Sequence, residues 1–297
     1  MRAKFIINPH SGRQDALKNL ESIVGCLILN QVVSQVDVYY TEQEGDAMRE
    51  AARLQEGDFD FLVCVGGDGT LSDVVNGLMQ SRCRIPVAVV AAGIANDFAT
   101  YWNMPQTSED FCRMIMNFKR RKIDVGKLND RYFVNSVIGG TLAGKSEALS
   151  QESKAVFGKM AYYVNGARNL TKPSQPVRLS FRAREFRKEE EAVMFIAYNV
   201  GSSFAGRPIA SKPQPDDGFL DLLVIRKMDL AQITGMGLST LTRGGIGHPR
   251  MKRFRTRQVE ISILEGEDLP IECDGQYAGS LPIKLGVEPG ALEIIVP

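Results

Sequence analysis

The sequence predicts an α/β protein of two domains, a parallel-sheet domain followed by a β-sandwich, and three observations carry that prediction. Short apolar runs alternate with helical patterns over the first hundred residues. From about residue 125 the pattern changes to strands in series with few helices between them. A glycine-rich turn, Gly66-Gly67-Asp68-Gly69-Thr70, joins one apolar run to an amphipathic stretch. Strands that alternate with helices form parallel sheets, because each crossover must return over the sheet. Strands joined by hairpin-like turns form antiparallel layers. The expected domains are 1–124 and 125–297, with the extreme C-terminus packing back on the first.

Taken in order, Ala3 to Asn8 reads as a strand, and the turn-rich Asn8-Pro9-His10-Ser11-Gly12 leads into a helical stretch ending near Leu29. Val36 to Thr41 is the second strand, and Asp46 to Leu54 has helix-forming composition. Phe59 to Val65 is the third strand. Leu71, Val74, Val75, Leu78 and Met79 then recur on one helical face. Pro86 to Ala91 is apolar throughout, as a strand covered on both faces must be. In the second half, strands are expected at Arg131 to Ile138, Val177 to Ala183, Ala192 to Val200, Leu220 to Arg226, Val259 to Leu264 and Leu281 to Val287. Helices are expected at Lys159 to Leu170 and Leu230 to Leu241.

Composition sets the bounds. A chain of 297 residues, 44% hydrophobic and 24% charged, falls in the globular class and excludes collagen, disordered and coiled-coil chains. The longest apolar run, Ile85 to Ala95, is broken by Pro86 and Gly93 and falls short of the roughly 20 residues that span a bilayer. The first residues are too few and too polar for a signal peptide. A net charge of +1 gives no field that would mark a nucleic-acid partner. Five scattered cysteines without a C-x-x-C pair suit a reducing cytoplasm and argue against a zinc site.

The chemistry concentrates at the carboxyl ends of the first strands, where open α/β sheets bind ligands. The glycine turn ends a buried strand and opens a helix, so free backbone N–H groups and the helix dipole face an anion. Gly66, Gly67 and Gly69 let that backbone approach a phosphate, and Asp68 adds a carboxylate able to hold a metal or a water beside it. Two further loops fall at the same end, Asn8 to Gly12 and Gly93-Ile94-Ala95-Asn96-Asp97-Phe98. Without a ligand, Asn96-Asp97 reads as a helix N-cap and Asp216-Asp217-Gly218 as a β-turn.

Together these residues resemble the diacylglycerol kinase catalytic-domain family, which includes sphingosine kinases and bacterial soluble lipid kinases. Gly66-Gly67-Asp68-Gly69-Thr70 is similar to its nucleotide-binding signature, Asn8-Pro9-x-Ser11-Gly12 to its first phosphate loop, and Asn96-Asp97-Phe98-Ala99 to its Asn-Asp-Phe-Ala segment. Asp217-Gly218-x-Leu220-Asp221 and Asp274-Gly275 are similar to two later motifs. The resemblance implies a domain of the NAD kinase/diacylglycerol kinase kind and an ATP- and Mg²⁺-dependent kinase acting on a lipid hydroxyl, with diacylglycerol the first expectation. It implies ATP contacts from Asn8, Pro9, Ser11, Gly12, Thr41, Gly66, Gly67, Asp68, Gly69, Thr70, Asp73, Asn96 and Asp97. It also implies a magnesium site at the Asp217 carboxylate with the carbonyls of Gln214 and Phe219, and a homodimer. A catalytically weak binding protein on the same fold and an NAD kinase-like enzyme are the alternative readings.

Three departures from the pattern bear on activity. Ile94 stands where the family has threonine, and Ser72-Asp73 where it has Asn-Glu. Gln276 replaces the glutamate of Asp-Gly-Glu, the expected general base, and a neutral amide cannot take a proton. Alternation along a strand would place Glu272, Asp274 and Gln276 on one face, so Asp274 is the expected substitute. Finally, no acidic residue lies between Asp229 and Glu260, an interval that holds Arg243, Arg250, Lys252, Arg253, Arg255 and Arg257. Residues 243–257 are therefore expected to rest on an anionic membrane, making the protein cytoplasmic and peripheral.

Overall fold

The structure is a computed structural model that describes residues 1–12, 14–140, 176–200, 203–204, 207–208, 214–226 and 251–297. The chain forms two compact units, Met1–Val125 together with Pro289–Pro297, and Gly126–Glu288.

The first unit contains β1 (Arg2–Ile7), α1 (Gln14–Leu29), β2 (Gln35–Tyr40), α2 (Asp46–Arg53), β3 (Phe61–Gly66), α3 (Asp68–Ser81), β4 (Val87–Ala91), α4 (Asp97–Tyr101) and α5 (Ser108–Asn117). It also holds most of β5 (Arg120–Leu128). The strand order is β2-β1-β3-β4, parallel throughout, with Phe5 opposite both Val38 and Val63 and Cys64 opposite Val89. All six residues of β3 are buried, which is why its run carries no polar side chain. Leu71, Val74, Val75 and Leu78 of α3 are buried as their spacing predicts. Gly77 lets α3 meet α2 backbone to backbone; a Cβ there would stand 2.3 Å from the Met48 carbonyl oxygen. The helix α4 begins at the Asn96-Asp97 cap read from the sequence, whereas α5 was not expected. The start of α5 is nonetheless legible, since Thr107 caps it by accepting the Asp110 N–H at 3.2 Å.

The second unit contains β6 (Arg131–Phe133), β7 (Ser136–Gly140), β8 (Val177–Ala183), β9 (Arg187–Ala192), β10 (Met194–Tyr198), β11 (Ser203–Phe204), β12 (Arg207–Pro208) and β13 (Leu220–Ile225). After these come β14 (Met251–Thr256), β15 (Gln258–Glu265), β16 (Pro270–Cys273), β17 (Gln276–Ser280) and the first half of β18 (Ile283–Ile295). One antiparallel sheet runs β14-β13-β10-β7-β16-β17, and another joins β9, β8, β15 and the start of β18. Val137, Phe195, Ala197, Leu222 and Ile271 from the first share a core with Leu179, Phe181, Val259, Ile261 and Leu285 from the second. Phe181 and Phe195 meet edge to face at 6.2 Å, a favourable aromatic geometry.

Two expectations change here. The single strand expected over Arg131 to Ile138 is two strands, because the N–H groups at its middle turn away from the ladder to a carboxylate described below. The last strand runs on to Ile295, well past Val287. The helices expected at Lys159 to Leu170 and Leu230 to Leu241 lie outside the described residues. Among the described residues, no helix is long and apolar enough to cross a membrane.

Candidate active site

In the first unit, three loops at the carboxyl ends of the parallel strands are tied into one structure. Asn8 donates its backbone N–H to Val65 O at 2.9 Å, and its side-chain amide donates to Thr70 Oγ1 at 3.1 Å. Ser11 Oγ donates back to Asn8 O at 2.6 Å, folding the first loop on itself. Thr41 is buried at the end of β2 and donates its N–H to Ile7 O at 2.8 Å. Gly67 caps α3 without any side-chain acceptor, so the helix N-terminus keeps its anion-binding character. A Cβ on Gly67 would lie 3.1 Å from Gly93 Cα, and one on Gly93 would lie 2.6 Å from Gly67 Cα. These glycines therefore serve first to bring two loops together. Asn96 closes the third loop, accepting from Gly93 N at 2.9 Å and donating to Gly93 O at 2.7 Å.

Asp68, which the sequence offers to a metal or a water, also ties the third loop to the glycine turn. Its two carboxylate oxygens accept the N–H groups of Asp97 (3.1 Å) and Phe98 (3.2 Å), so it caps α4. Asp73 lies half-buried one turn into α3. Burial pushes the Cys64 thiol up to about 12, with the carboxylates of Asp73 and Asp68 adding to the effect, and this thiol is inert core. Ile94 is 42% exposed and lies against Gly12, whose Cβ would meet Ile94 Cγ1 at 3.3 Å. The loop beside the glycine turn thus presents an apolar side chain instead of a hydroxyl.

In the second unit, Asp274 and Gly275 form the two-residue turn between β16 and β17, with φ of 46° and 87°. Positive φ at both positions is the hairpin geometry that Asp-Gly favours. The turn overturns the expectation that Glu272, Asp274 and Gln276 share one face. Gln276 pairs across the hairpin with Cys273, and Glu272 with Tyr277, so Gln276 and Glu272 point to opposite faces. The buried Asp274 carboxylate accepts three backbone N–H groups, from Val134, Asn135 and Ser136, each at 2.9 Å. The group that the sequence offered as a substitute base is thus already engaged by three donors. Gln276 Oε1 accepts from the Arg131 guanidinium.

The turn before β13 gives a further correction. Asp217 Oδ1 accepts the Phe219 N–H at 3.0 Å, and Oδ2 is ion-paired with Arg255. The guanidinium groups of Arg255 and Arg257 lie 4.7 and 5.0 Å from the centroid of the Phe219 ring. Asp217, Gln214 and Phe219 therefore do not fit a magnesium site: the one carboxylate is taken by a cation, and two cations flank the residue whose carbonyl would complete it. Among the described residues, no three of His, Cys, Asp and Glu gather to hold a metal.

The described part of the basic stretch is paired within its own unit. Lys252 pairs with Glu190 at 2.6 Å, Arg253 with Asp221 at 2.7 Å, and Arg255 with Asp217. Three of the positive charges expected to face a membrane are neutralised by carboxylates of their own unit, while residues 243–250 lie outside the described residues. Glu190 is the most deeply buried of these acids and also pairs with Arg226 at 2.5 Å. Burial opposes its ionisation, but the hydrogen bonds and charges of Lys252 and Arg226 outweigh this and hold its carboxyl below the usual glutamate range. A lowered folded pKa stabilises the protein above the unfolded value of roughly 4.3, and that contribution is lost as pH falls through the folded value. Urea midpoints taken from neutral pH downward are expected to fall across this window in the wild type, and to fall less steeply in Glu190→Gln.

Comparison with known proteins bears directly on these loops. A family model for the diacylglycerol kinase catalytic domain matches residues 2–128, and one for the YegS C-terminal NAD kinase beta sandwich-like domain matches residues 136–296. The chain belongs to the diacylglycerol kinase family. A diacylglycerol kinase of Staphylococcus epidermidis is 30% identical over 298 residues, covering 100% of this chain and 92% of that protein. One of Staphylococcus aureus is 31% identical over 283 residues, covering 95% and 88%. The crystal structure of a diacylglycerol kinase from Bacillus anthracis aligns with a TM-score of 0.79 at 23% identity, over 100% of this chain and 97% of that one, and confirms the fold. This is a kinase family, and ATP use, typically with a divalent metal, goes with it.

Sequence reasoning missed three functional neighbours. Gly93 was read only as part of a loop, although its hydrogen atom is what lets Gly67 approach. The pairings of Arg131 with Gln276 and of Arg255 with Asp217 were missed because the partners lie 145 and 38 residues apart in sequence. The alternation Arg253-Phe254-Arg255, with Phe254 packed on the core, was the one local signal that Arg253 and Arg255 share a face.

Proposed function

We propose that this protein is an ATP- and Mg²⁺-dependent diacylglycerol kinase that transfers the γ-phosphoryl group to the free hydroxyl of the lipid. The observation that carries the reading is the knot of three loops around the start of α3, which has no side-chain cap, so that the first N–H groups of this helix would face a polyphosphate. Mg²⁺ would accompany the nucleotide and neutralise charge on the transferring phosphoryl group. Asn8, Thr70 and the N–H groups of the glycine turn would position the phosphates. Contact with the bilayer that holds the lipid would fall to basic residues outside the three ion pairs, Arg243, Arg250 and Arg257 among them.

Gln276 sets the rate in this reading. A phosphoryl transfer with a loose transition state asks little of a base, so an amide that orients the acceptor hydroxyl supports turnover at a reduced rate. The test is ADP release with diacylglycerol, sphingosine, monoacylglycerol, a polyprenol and NAD as acceptors, at saturating ATP and Mg²⁺. Diacylglycerol is expected to be the preferred acceptor. Gln276→Glu is expected to raise kcat by about tenfold, below the ~10²–10⁴ of an unencumbered base, because Arg131 would pair with the new carboxylate and weaken its basicity. ATP affinity should not change. Phosphorylation of NAD in place of every lipid would refute the assignment.

A further inference from the structure

We propose that the turn at Asp216 to Gly218 carries its own cation: the Arg255 guanidinium stands at the Asp217 carboxylate where the family pattern places a divalent metal, and this unit folds without one. The carboxylate has two oxygens and both are engaged, Oδ1 by the Phe219 N–H that closes the turn and Oδ2 by Arg255. A divalent ion bound to Asp217 and the Phe219 carbonyl would lie beside two guanidinium groups already held over the Phe219 ring. Like charges at such range repel, and among the described residues no second or third carboxylate gathers at this turn to offset them.

The second acid of the motif follows the same plan. Asp221 is buried and is bound by Arg253, which donates from both Nε (3.0 Å) and Nη2 (2.7 Å). Arg253 and Arg255 are two residues apart on β14 and project from one face of it. The Asp-Gly-x-Leu-Asp motif is thus fastened to the neighbouring strand by two guanidinium groups. Arginine suits this role, since its fork matches a carboxylate and its charge is not lost at any physiological pH. The proposal concerns only this turn; the divalent ion that travels with ATP is unaffected.

The test uses the full chain without nucleotide. A metal that bound only the folded state would raise the melting temperature, by linkage. The wild type is expected to melt at the same temperature in excess EDTA and in millimolar Mg²⁺, and to leave the electron paramagnetic resonance signal of added Mn²⁺ undiminished. A melting temperature that drops in EDTA and recovers with Mg²⁺, or Mn²⁺ binding that Asp217→Asn abolishes, overturns the proposal. Arg255→Met is expected to lower the melting temperature equally in EDTA and in millimolar Mg²⁺. Wild-type stability in Arg255→Met would show that the guanidinium does not hold this turn. Should that variant not fold, the wild-type measurements decide the matter alone.

Discussion

Replacing Asp274 with glycine is expected to cost about 3–9 kcal/mol of folding stability, because three buried N–H groups would lose a charged acceptor at ~1–3 kcal/mol each. Glycine is the right substitution, since φ is 46° at this position and an alanine there would add backbone strain to the effect being measured. With a total stability for a domain of roughly 5–15 kcal/mol, such a loss approaches unfolding. Urea denaturation followed by circular dichroism reads it. Asp274→Asn should show a smaller loss, since its amide oxygen can still serve Asn135 and Ser136 while its NH₂ faces the Val134 N–H. The contrary result is also informative. An Asp274→Asn protein that unfolds at the wild-type urea concentration yet turns over no lipid would make Asp274 the base after all.

Gly93→Ala is expected to weaken ATP binding by about tenfold or more. The added methyl would sit 2.6 Å from Gly67 Cα and 2.8 Å from Asn96 Oδ1, so the glycine turn and the third loop must separate. Overpacking of this kind costs ~1–3 kcal/mol, and about 1.4 kcal/mol expressed at the phosphate site is a factor of ten in affinity. Gly25→Ala is the matched control, for nothing lies within 4 Å of a Cβ there and the position is helical. Calorimetry with ATP and Mg²⁺ should find the control unchanged. Equal affinity in Gly93→Ala and the control would mean that the apposition of the two loops does not shape the nucleotide site.

The parallel half of the fold was legible because its signal is local. Apolar runs such as Phe61 to Val65 have to be covered on both faces, and the α3 stripe repeats every three or four residues. The described strands that went unread, β5, β9, β11, β12, β14, β16 and β17, are short or charged, and none carries a continuous apolar alternation. Arg187-Lys188-Glu189-Glu190-Glu191 gives no apolar alternation; it is a strand because β8 pairs with it residue by residue. The same limit applies to the candidate site. The residues of the glycine turn could be named from spacing and composition. That Asp68 caps α4, that Asp274 ties a hairpin to a strand break, and that Arg255 occupies Asp217 are long-range facts, and no window of sequence contains both partners.

The return of the last strand has a consequence for how the chain is made. Ile294 adds beside Val87 of β4, and Val296 donates its N–H to Lys119 O at 2.9 Å, so the unit that begins at Met1 is completed by residues 289–297. As the chain emerges during translation, the β4 edge stays unsealed until the whole of Gly126–Glu288 has also been synthesised. A stop codon after Val125 would leave that edge open for pairing with another copy, a known route to aggregation. Loss of a few terminal residues, far from the glycine turn in sequence, would strike the nucleotide half of the protein rather than the half that immediately precedes them.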